Sequence, residues 1–97
     1  MRITDCVYGF IDNVSGNVMQ YYVLPGPEWA ERVFKTLVAQ IAVGEPKEYS
    51  FRLVGRFNNL QFIPADKVLE EAEDASIPIV LEMKGEDYVA KEVVDNV

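Results

Sequence analysis

The chain has 97 residues, 49% hydrophobic and 26% charged, which suits one domain around one core and excludes a disordered composition. Sixteen acids against nine bases leave a net charge of −7, which repels phosphate backbones unless the cations gather on one face. With no histidine and one cysteine, Cys6, the chain lacks Ser-His and Cys-His nucleophiles, an internal disulfide and the usual zinc ligand sets.

In chain order, Cys6 to Ile11 is rich in β-branched and aromatic residues and predicts a first strand. Asp12 to Asn17 carries turn-tolerant residues, and Val18 to Leu24 reads as the returning strand of an antiparallel hairpin. Gly9, inside the first strand, marks either a bulge or close approach, or simply a weak strand position.

From Pro27 to Ala42, Trp29, Ala30, Val33, Phe34, Leu37, Val38 and Ile41 recur at helical spacing and predict one broad apolar face. Pro27 suits the helix start and Gly44 a left-handed close. On the wet face, Glu28 with Arg32 and Glu31 with Lys35 are expected to pair across one turn.

Tyr49, Phe51, Leu53 and Phe57 then alternate with Ser50, Arg52, Val54 and Arg56, the period of a half-buried strand with both arginines on its wet face. Asn58-Asn59 predicts a tight turn with two positive φ values, and Leu60 to Ile63 the return, stopped by Pro64. A short helix is expected over Ala65 to Asp74, with Val68, Leu69 and Ala72 inward. Ile77 to Met83 is expected as a last strand, with Pro78 at its start or on a sheet edge. The domain is expected to span 1–84, and 85–97 to form a polar tail, helical over Tyr88 to Val94 or unstructured. The order predicts an α+β fold: a ββαββ antiparallel core with the main helix across one face.

No apolar run approaches the roughly 20 residues that cross a bilayer. Asp5 falls where an export signal would turn apolar, so a cytoplasmic location is expected. Asp12-Asn13 lacks the spaced ligands of a calcium hand, and Pro25-Gly26-Pro27 lacks a phosphate-loop pattern, so no metal or cofactor is expected. The chain reads as non-enzymatic.

Two binding readings remain. Lys47, Arg52 and Arg56 can contact phosphates while Tyr8, Tyr21 and Tyr22 stack on single-stranded bases. Alternatively, the acidic cluster Glu70, Glu71, Glu73 and Asp74 engages a protein partner, in the manner of a nucleic-acid mimic. A small core with open sheet edges also favours a homodimer.

Several segments resemble the small nonstructural protein of gokushovirus-type microviruses, which are single-stranded DNA phages. They are Val7-Tyr8 to Asp12 with Ser15-Gly16, Tyr22 and Pro25, the helix residues Ala30, Arg32, Phe34 and Val38, and above all Pro46 to Phe57. The likeness covers residues 7–63, departing at Arg56 and Asn58-Asn59, where the family usually carries acids. It implies a non-capsid phage protein made in the bacterial cytoplasm, assisting viral DNA replication or single-strand production, with DNA binding as one route; in that setting the acidic cluster's partner is a host or viral protein, and the alternative role is of an anti-defence type. It transfers no site residue.

Overall fold

Two hairpins joined by a helix set the architecture of the computed structural model, which describes residues 3–41, 44–77 and 79–88. Strands β1 (Cys6–Asp12) and β2 (Asn17–Leu24) form the first hairpin, and helix α1 (Glu28–Ala39) follows. Strands β3 (Tyr49–Asn58) and β4 (Gln61–Pro64) form the second, followed by helix α2 (Ala65–Asp74) and a short β5 (Glu82–Lys84). The fold is α+β, with a five-stranded antiparallel sheet in the order β2-β1-β3-β4. The expected helix Tyr88 to Val94 lies, beyond Tyr88, outside the described residues, as does the placement of Pro78.

Strand β3 is the centre of the sheet. One edge pairs with β1; the other is shared end to end by β4, opposite Gly55 to Asn58, and β5, opposite Ser50 to Arg52. This sharing shortens the last strand relative to the expected Ile77 to Met83. Once β4 holds the distal part of the β3 edge, only its proximal part is open to β5. The segment before β5 instead packs Ile77, Ile79 and Val80 on the core, and Leu81 accepts the Leu53 amide at 2.8 Å.

Phe34 of α1 stacks on Phe51 at 5.5 Å and meets Phe10 edge-on, and Val68 of α2 joins the same cluster. Both helices therefore cover one face of the sheet, the inner face. Tyr8 stacks on Phe51 at 5.0 Å and donates its hydroxyl to the Val80 carbonyl at 2.6 Å, which ties β1 to the strap before β5. Aromatic pairs of this kind add roughly 0.5–1.5 kcal/mol beyond their burial.

Helix α1 buries Ala30, Phe34 and Val38, as its periodicity predicts. Pro27 sits at the cap with φ −65°, and Gly44 is left-handed at φ +79°, beyond the helix end at Ala39. Helix α2 ends in a hydrogen-bonded reversal. Ser76 takes φ +55°, its amide donates to the Glu73 carbonyl, and the Ile77 amide reaches the Ala72 carbonyl. In the β3–β4 turn only Asn59 has positive φ, rather than the expected pair of positive values at Asn58 and Asn59.

Candidate protein-interaction surface

A bulge separates the two arginines that the alternation of β3 places together. Tyr8 pairs with Leu53 and Val7 with Gly55, so Val54 is an extra residue in β3. Beyond it the inward and outward positions exchange. Arg52 stays on the open outer face and binds Glu82 of β5 at 3.0 Å. Arg56 turns inward opposite Cys6, is 9% exposed, and bonds the Glu71 carboxylate of α2 at 3.2 Å and the Phe57 carbonyl at 3.3 Å. The expected wet-face pair is therefore corrected: Arg56 is part of the β3–α2 packing.

The other expected site residues also scatter. Tyr8 lies in the core, because its position on β1 faces α1. Tyr22 is half-buried beside α1, and Tyr21 is exposed on the outer face. Lys47 pairs with Glu45 at 3.4 Å. In the acidic cluster, Glu71 is held by Arg56 and Glu70 by Lys67 at 3.6 Å, whereas Glu73 and Asp74 are exposed. On α1, Glu31 pairs with Lys35 at 3.1 Å as expected. Among the described residues Arg32 has no ion pair; its guanidinium lies 4.9 Å above the Trp29 ring.

The feature that sequence reasoning missed is the outer face of the sheet. Neither helix covers it, and it exposes Val23 (58%), Tyr21 (57%), Phe62 (42%), Val18 (39%) and Phe57 (37%). Two glycines shape it. Gly9 lies opposite both Tyr21 and Arg52, and a Cβ there would stand 3.2 Å from Val18, so the neighbouring side chains close over the gap. At Gly55 a Cβ would run into the Phe62 ring and the Ile63 carbonyl, so the bare backbone makes room for Phe62, which meets Phe57 edge-on at 5.5 Å. The bulge is again the reason for the miss. Phe57 reads as inward from the alternation, and the shift at Val54 sends it outward. Val18 and Val23, in an edge strand, gave no signal, because Val18-Met19 and Tyr21 to Leu24 are apolar on both sides of the strand, with only Gln20 between them.

A second open feature adjoins β2 on the inner side. A groove of about 450 Å3 lies between β2 and α1, lined by Tyr22, Trp29, Arg32, Val33, Thr36 and Leu37. Elsewhere, burial pushes the Cys6 thiol up to about 11, opposed in part by the Arg56 guanidinium. Burial also raises the Tyr8 hydroxyl well above its ordinary range. Both groups are thereby held neutral in the core. No helix of the described residues is long and apolar enough to cross a membrane. Comparison with protein-family models, with curated proteins and with solved structures returns no match for this chain.

Proposed function

We propose that this domain is a non-enzymatic protein-interaction module that docks a partner on the outer face of its sheet. The observation that carries the reading is a sheet face left bare by both helices and occupied by five exposed large apolar side chains. Exposed apolar side chains gathered on one sheet face cost solubility unless something covers them. The net charge of −7 favours a basic partner by steering its approach. In the setting that the gokushovirus resemblance implies, the domain is an accessory phage protein in the host cytoplasm. It acts on viral DNA replication through a protein it recruits or blocks.

The test is affinity capture from bacterial lysate with wild type and with a Phe57→Lys/Phe62→Lys variant. Both positions are exposed, so the variant keeps its fold, which circular dichroism checks. A partner recovered by wild type and lost by the variant supports the reading. Recovery of no partner, or equal recovery by both, overturns it.

One observation favours a second reading, direct contact with single-stranded DNA. Tyr21 and Arg52 flank Gly9 on the outer face, a base-sized aromatic beside a cation. Titration of labelled oligonucleotide at low salt separates the two readings. Saturable binding by wild type that Tyr21→Ala and Arg52→Ala both weaken establishes the DNA contact.

A further inference from the structure

We propose that β2 is a dimer edge, where a second copy of this chain pairs antiparallel and joins two five-stranded sheets into one. The inference does not depend on the partner docked on the outer face. It starts from how the two sides of the sheet are guarded. An exposed strand edge presents unpaired N–H and C=O groups, and proteins blunt such edges with short strands, charges, proline or bulges. The far side of this sheet follows that rule: β4 has four residues and ends in Pro64, and β5 has three, with Glu82 and Lys84 flanking Met83.

The β2 side does not. Among the described residues strand β2 pairs only with β1, and it runs for eight residues, Asn17–Leu24, without a charge or a proline. Its one irregularity is a bulge at Met19, since Phe10 pairs with Gln20 and Ile11 with Val18. The regular stretch open to a partner is therefore Gln20 to Leu24.

Both flanks of that stretch are apolar and unfilled. On the outer side stand Tyr21 and Val23. On the inner side the groove between β2 and α1 is open, and Trp29 is 39% exposed at its rim. A strand edge alone buries too little for a stable interface, which needs roughly 1,200 Å2 or more. These flanks supply the additional area, because an antiparallel pair sets the two α1 helices side by side across Trp29 and Thr36.

Local charge admits a second copy as the occupant. Each copy carries −7, so self-association is least opposed where carboxylates are missing. Strand β2 has none, and the one charged side chain lining the groove is Arg32. Antiparallel self-pairing of this stretch about Tyr22 sets Tyr21 against Val23 of the second copy and Gln20 against Leu24, so Gln20 is its one polar position.

Sedimentation or light scattering of the full chain at high micromolar concentration is expected to give twice the 11.0 kDa of one chain. Trp29→Glu/Thr36→Glu places four carboxylates in the proposed interface and is expected to halve that mass while leaving the circular dichroism unchanged. Hydrogen exchange guards against a misfolded variant: amides of Gln20 to Leu24 are expected to be protected in wild type and faster in the variant, with those of β1 unchanged. An 11.0 kDa wild-type particle overturns the proposal, as does a dimer that survives both glutamates. A dimer whose β2 amides exchange freely, or β2 amides protected only after another protein is added, overturns it equally.

Discussion

Replacing Arg56 by alanine should cost several times the stability lost on replacing Arg52, although the two stand four residues apart and read alike in the sequence. The side chain of Arg56 is 11% exposed, and its loss leaves Glu71, 31% exposed, without its cation. Charged hydrogen bonds contribute about 1.5–3 kcal/mol, and breaking a fully buried pair costs about 3–5 kcal/mol. Glu71 keeps some access to water, so the expected cost is about 2–3 kcal/mol, a large part of the roughly 5–15 kcal/mol of a domain this size. Arg52, 57% exposed in its pair with Glu82, should cost within about 0.5 kcal/mol. Urea unfolding of both variants checks this, with Glu71→Ala and the double variant closing a cycle. Equal, small losses for both arginines would refute the bulge-driven inward turn of Arg56.

Three further outcomes follow from the packing of the sheet. Tyr8→Phe removes the 2.6 Å bond to the Val80 carbonyl and should destabilise by about 1–2 kcal/mol in the same assay. Gly55→Ala drives a methyl into the Phe62 ring and the Ile63 carbonyl, and should cost more than Gly9→Ala, whose tightest neighbour is the Val18 side chain at 3.2 Å. Stability should be flat through neutral pH and fall above about 9. The folded thiol of Cys6, raised to about 11 chiefly by burial, must stay protonated where the unfolded thiol ionises. The loss is on the order of 2–3 kcal/mol, and Cys6→Ala should flatten that part of the profile measured by thermal melts.

Elements whose pattern is local were legible in the sequence. The spacing of Ala30, Phe34 and Val38 marked the buried stripe of α1, and Pro64 with Val68, Leu69 and Ala72 marked α2 over the residues it occupies. The arrangement of the surface was not legible, because it depends on register. One extra residue at Val54 reverses every later position of β3, burying Arg56 and exposing Phe57, and no composition cue marks it. The extent of β5 was set by competition with β4 for the same edge of β3, a tertiary effect invisible in residues 77–83. The aromatics of β1 and β2 show the same limit: Tyr8, Tyr21 and Tyr22 look equivalent in composition, and topology alone assigns them to core, outer face and groove wall.

The most direct test of the interaction surface is calorimetric titration of the partner recovered by capture, against wild type and the Phe57→Lys/Phe62→Lys variant. The outer-face account predicts saturable binding by wild type and a loss of at least about tenfold in the variant, or roughly 1.4 kcal/mol. Equal affinity for both proteins would contradict it.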